Sequence, residues 1–161
     1  MNVSVKLGFP LVEMEHVPPL GWKRTRAGIF GDCMRACVAS VLGLPREEVP
    51  HFVQQAWDLG DRTSSGWWAL LRDWAQRRGG DFMATYEVWD NYPNLTIADG
   101  VSMRGTPHVV VADAQGNPFY DPHPMGGGLI ELRGYFLWCA PYAGGWPDST
   151  PHMLDKLELA T

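Results

Sequence analysis

An α+β fold, helices first and an antiparallel sheet after them, is the class this sequence predicts. Three observations lead there. Between residues 32 and 78, apolar side chains recur at helical spacing, as in Met34, Cys37, Val38, Val41 and Leu42. From Asp81 onward the period shortens to that of strands, in short runs set apart by Gly, Asn and Pro. The helical segments precede the strands and do not alternate with them, the order of an α+β domain.

The elements follow in order. Residues 1–31 carry Pro10, Pro18, Pro19, Gly21, Gly28 and Gly31, which break every candidate helix and predict an extended lead-in with one short strand near Val3 to Leu7. A first helix begins at Asp32, a good N-cap, and stops at Gly43. Ala36, Ala39 and Ser40 let it pack close against another element. Leu44 to Pro50 predicts a short helical turn, with Pro45 at its start and acidic residues in its first turn. His51 to Leu59 predicts a second helix. Ser64 or Ser65 caps a third, whose Trp67, Leu70, Leu71, Trp74 and Ala75 form one apolar stripe before Arg77, Arg78, Gly79 and Gly80 close it. Strands are predicted over 82–88, 96–103, 108–112, 118–121 and 129–139. "HVVVADAQGNPFYDPHP" reads as a hairpin that turns over Ala114 to Asn117 and returns to Asp121. The tail from Ala143 predicts loop, with a short helix at Met153 to Leu159. There is no internal repeat, and residues 1–161 make a single domain.

Bulk properties exclude several functions. With 13 Lys+Arg against 18 Asp+Glu, the net charge of -5 gives no electrostatic reason to expect nucleic acid as a partner. No stretch approaches the roughly twenty apolar residues of a membrane span. The three cysteines cannot all pair within one chain, and the first residues have neither a basic region nor a continuous apolar run of the signal-peptide kind. A cytoplasmic protein with reduced thiols is expected. A low charged fraction, 19%, alongside 8 tryptophans predicts an aromatic surface with room for a ligand groove.

The chemistry centres on "GDCMRACVAS". A cysteine attacks as thiolate, and Cys33 sits at a helix start, where the dipole favours the charged form. Asp32 opposes this unless its carboxylate turns away to cap the helix. A thiol nucleophile also needs an imidazole, and the imidazole a carboxylate or amide that fixes its ring. His108 begins one strand of the hairpin and Asp121 ends the returning strand, so the two ends lie side by side, within hydrogen-bond reach.

A cysteine opening a helix, a histidine at the head of one strand and an aspartate at the end of the next resemble the papain-like cysteine peptidases in their small bacterial forms. "HVVVADAQGNPFYDP" is similar to the late motif of the bacteriocin-leader peptidase domains. "GDCMRACVASVLGLPREEVPHF" and "GVSMRGTPHVVV" resemble a group of phage and bacterial proteins described as papain-like. The resemblance implies a papain-like fold, helices packed on a C-terminal sheet, with Cys33 as nucleophile, His108 as base and Asp121 as orienting acid. Where those peptidases place an oxyanion-donating glutamine, six residues before the cysteine, this chain has Ala27. Thr25, Arg26 and Arg24 are the nearest side chains able to replace it. The ovarian-tumour deubiquitinases have an aspartate three residues before their cysteine, and here that position is Phe30.

The resemblance further implies a cysteine-dependent hydrolase or acyl-transferase without cofactor, cytoplasmic, and in the host cytoplasm if encoded by a phage. Its partner would be a peptide, isopeptide or small amide. A different class of reading is a catalytically silent papain-like protein that sequesters a host protein or small ligand in the same cleft. Other residues divide between core and cleft. Cys37 and Cys139 are expected in the core, and His51 at a helix start. His123 in "DPHP" is the rival base, or else a rim residue. Cys33, Cys37, His108 and His123 lack the spacing that preorganises zinc, so no metal is expected. Gly126, Gly127 and Gly128 read as a flexible turn, since no helix follows them to bind phosphate. Ser102 and Arg104 are candidates to fix a substrate carbonyl or carboxylate at the rim. Trp68, of the Trp67, Trp68 and Trp74 cluster, is the one expected to face out as an apolar wall.

Overall fold

The period change at Gly79 and Gly80 is where the chain passes from a helical layer to a sheet. A computed structural model describes residues 11–15, 31–61 and 63–139. Three helices come first, α1 (Cys33–Leu42), α2 (Phe52–Asp58) and α3 (Ser64–Arg77), with a 3-10 turn at Arg46–Glu48 between the first two. Five strands follow: β1 (Asp81–Thr85), β2 (Thr96–Ser102), β3 (Pro107–Ala112), β4 (Pro118–Tyr120) and β5 (Leu129–Cys139). They form one antiparallel sheet in the order β1-β5-β2-β3-β4. The fold is α+β. The lead-in strand near Val3 to Leu7 and the tail helix at Met153 to Leu159 lie outside the described residues.

Alternation along the strands sorts the core into two faces. Phe82, Ala84, Ile97, Val109, Val111 and Phe136 meet the helices, where Val38, Phe52, Trp67, Leu71 and Ala75 are buried. Ala98, Val110, Ala112, Tyr135 and Leu137 face the other way, under Tyr92 and Val88. A buried ion pair fixes the helical layer on the sheet. Asp81 opens β1 fully buried, and its two carboxylate oxygens each accept from Arg72 Nε at 3.1 Å. Gln76 Nε2 donates to the same carboxylate, also at 3.1 Å.

Local chemistry explains most boundaries. Gly43 ends α1 with φ 65, and its N–H reaches back into the last turn. His51 caps α2, its Nδ1 accepting the Gln54 N–H at 3.4 Å. The N-cap of α3 is Thr63, one residue ahead of the expected serines. β1 stops at Thr85, short of Val88, because the Thr85 hydroxyl donates to the Glu87 carbonyl at 2.8 Å and turns the chain. Gly100 of β2 lies opposite His108, and a Cβ there would sit 1.8 Å from the Glu131 carbonyl oxygen of β5. Only glycine lets β5 pass so close. The register between β2 and β5 shifts at that point.

Candidate active site

The hairpin predicted from "HVVVADAQGNPFYDPHP" forms, with Asp113 governing its turn: its Oδ1 accepts the Gln115 and Asn117 N–H groups, each at 2.9 Å. That hairpin carries His108 at the second residue of β3 and leaves Asp121 just past β4. His108 Nε2 lies 2.7 Å from Asp121 Oδ1. Cys33 is the first residue of α1, half-buried, and its thiol stands close enough to the same imidazole to act on its titration. Three residues distant in sequence thus meet around one ring.

Electrostatics sharpen this arrangement. Burial disfavours a charged His108, but the hydrogen bonds to Asp121 and Cys33, and the negative charge on both, outweigh it and push the imidazole up to about 9. Burial acts on Asp121 in the opposite sense to its partners. Its bond to His108, the histidine's charge and two backbone N–H groups hold the carboxyl below the usual carboxylate range. Those N–H groups come from His123, to Oδ1 at 2.8 Å, and Gly128, to Oδ2 at 2.9 Å. The loop after Asp121 is wrapped around its carboxylate. Cys37, one turn along α1, is fully buried, which pushes its thiol well up. Burial also raises Cys139, to about 11. Cys33 alone of the three has an imidazole partner among the described residues.

His123 does not compete for Asp121 with its ring. Its Nδ1 accepts the Met125 N–H at 3.1 Å, and its ring stands perpendicular to that of His108, centroids 6.2 Å apart. Burial and the nearby Arg104 cation hold it below the ordinary histidine range. Arg104 Nη1 donates to the Gly126 carbonyl at 3.0 Å, which places this side chain at the loop that wraps Asp121.

Two rim assignments need correction. Ser102 is fully buried: its hydroxyl is 2.9 Å from Thr106 Oγ1 and accepts the Arg104 N–H at 3.2 Å. It serves the β2–β3 turn, and no face is left for a ligand. Trp68 is 5% exposed and packs on Phe136 at 5.3 Å between centroids. Trp67 meets the same ring at 6.0 Å, so neighbouring tryptophans both fall within the buried arc of α3 and neither forms a groove wall. Asp32 also departs from expectation. It is the N-cap residue and buried, but its carboxylate does not cap the helix and instead accepts the Glu15 N–H at 3.1 Å. Ala27, Thr25, Arg26, Arg24 and Phe30 lie outside the described residues.

Asp99 escaped sequence reasoning. It is 2% exposed in the middle of β2, and burial pushes its carboxyl up to about 7 despite the charges of Arg133 and His108 and a backbone N–H from Gly100. The signal was present as an acid inside the otherwise apolar run "TIADGVS". Among the described residues no group of three or more His, Cys, Asp or Glu is placed to hold a metal ion, and no helix is long and apolar enough to cross a membrane. Comparison with protein-family models, curated proteins and solved structures returns no match.

Proposed function

We propose that this chain is a cysteine-dependent hydrolase or acyl-transferase of papain-like fold, acting on an amide or isopeptide bond. The observation that carries this reading is the His108 imidazole bonded on one nitrogen to Asp121, at 2.7 Å, and set beside a thiol at a helix start. Cys33 sulfur attacks the substrate carbonyl carbon, and the C–N bond breaks as His108 gives its proton to the leaving nitrogen. Water or a second amine then attacks the thioester. His108 takes up the proton of the attacking group, the C–S bond breaks, and the thiol is restored. Asp121 keeps the ring in place and stabilises its charged form throughout. The Cys33 backbone N–H, at the open end of α1, is one donor to the oxyanion.

Limiting iodoacetamide at neutral pH, followed by mass spectrometry, tests the reading without knowledge of the substrate. Cys33 is alkylated first, ahead of Cys37 and Cys139, and about tenfold more slowly in His108→Ala, which lacks the imidazole beside the sulfur. Equal rates in the two proteins would sink the proposal.

A further inference from the structure

The His108 imidazole has a third neighbour besides Asp121 and Cys33. The His123 ring stands against it at 6.2 Å, and next to His123 two turns are stapled together. Arg104 of the β2–β3 turn donates to the Gly126 carbonyl at 3.0 Å, and Met103 of the same turn lies so near Gly127 that a Cβ there would be 3.0 Å from its sulfur. In a thiol-dependent cleavage the acyl group stays on sulfur while the leaving nitrogen takes its proton from the imidazole. The rim beside His123 adjoins the imidazole that hands over this proton, which makes it the candidate for the leaving-group side.

Three properties of this rim point to one kind of occupant. Arg104 forms no ion pair with a carboxylate among the described residues; its side chain's hydrogen bond goes to a carbonyl oxygen. Met103 and Met125 are 67% and 84% exposed, and unbranched thioethers adapt to apolar partners of varied shape. His123 Nδ1 is taken up by the Met125 N–H, so in the neutral ring the proton sits on Nε2 as a donor. A cation, a neutral donor and two apolar side chains together suit an apolar residue accompanied by a carboxylate.

Resting on the thiol-hydrolase reading above, we infer that Arg104, Met103 and Met125 bind the leaving-group side of the substrate and select an apolar residue with a carboxylate close to the cleaved bond. The carboxylate belongs either to a peptide C-terminus or to an acidic side chain.

Aminolysis of an acyl-enzyme tests this. N-acetylglycine thiophenyl ester acylates Cys33 with release of thiophenol, and dipeptides then compete with water for the acyl group. The amine nitrogen attacks the thioester carbonyl, the C–S bond breaks, and the amine proton passes through His108 to sulfur. Leucyl-alanine with a free carboxylate, or leucyl-glutamate amide, captures the acyl group about fivefold better than leucyl-alanine amide. Whichever of the two is preferred identifies the source of the carboxylate. Leucyl-alanine also exceeds glycyl-alanine by about tenfold. Arg104→Gln abolishes the acid preference, and Met103→Ser with Met125→Ser abolishes the leucine preference. Each preference is a ratio within one protein, independent of its overall rate. If Cys33 is acylated but all acceptors capture equally, or if Arg104→Gln keeps the acid preference, the inference falls while the hydrolase reading stands. Failure of Cys33 to acylate overturns both.

Discussion

His108 concentrates the physics of the site in one side chain, and its titration makes a stability prediction. Its ordinary value of 6.5 rises to about 9 in the fold, so the folded protein binds this proton more tightly than the unfolded chain. The stabilisation is fully present below about pH 6.5 and is lost as pH rises through 9. Asp121→Asn keeps an acceptor for the ring but removes the charge, and its cost in stability should be on the order of 1–3 kcal/mol at pH 6, shrinking above pH 9. Urea unfolding of both proteins between pH 6 and pH 10 measures this. A difference that does not change with pH would refute the coupling. Asp121 was legible as a partner of His108 because a hairpin brings the ends of its two strands near each other; with Val111 opposite Tyr120, Asp121 lies just past the paired residues and its side chain reaches back to His108. Trp68 and Ser102 were not legible. Whether a tryptophan flanks or enters the buried arc depends on where α3 crosses Phe136, and whether a hydroxyl is free depends on Thr106, which closes the turn around it.

Among the elements, the connection from β4 to β5 carries the most chemistry for its length. Its Pro122–Gly128 loop returns two N–H groups to the Asp121 carboxylate, and Gly128 does so at φ 61, a conformation that L side chains adopt at a cost. The sequence showed three consecutive glycines and so a turn; that the turn encloses a carboxylate depends on distances no pattern encodes. Gly128→Ala should lower stability by about 1 kcal/mol, as should Gly79→Ala at φ 83 beyond α3. Both positions have open space for a Cβ, so backbone strain is the whole perturbation in each. Alkylation of Cys33 by iodoacetamide should slow in Gly128→Ala alone, because only there does the strain loosen the acid that orients His108. Equal slowing in both variants would mean that the loop does not set the ring.

At the scale of the whole molecule, two layers are what the periodicities specified. The strap that joins them over the site was not legible, because residues 11–15 follow Pro10 and carry no regular period. Leu11 and Val12 pack on the helical core, and the Val12 N–H donates to Ser40 Oγ at 2.9 Å near the end of α1. The next contacts straddle the candidate triad. Met14 N–H donates to the Pro122 carbonyl at 2.9 Å, one residue past Asp121, and Glu15 N–H donates to Asp32, one residue before Cys33. Adjacent amides of one segment thus tie the start of α1, at Cys33, to the loop that follows Asp121. Glu15 adds ion pairs to Arg35 and Arg46 at 3.6 and 3.4 Å, but Glu15 is half exposed and such pairs contribute little. The backbone bonds are the stronger link. Met14→Pro removes the donor to Pro122, whereas Met14→Ala keeps it and loses only the buried side chain. Native-state hydrogen exchange should therefore show the His123 and Gly128 amides, which hold Asp121, exchanging faster in Met14→Pro than in Met14→Ala. Amides of β1, on the opposite edge of the sheet, should report the same global stability in a comparison corrected for it. If the loop amides exchange alike in the two variants after that correction, the strap packs against the site without holding it together.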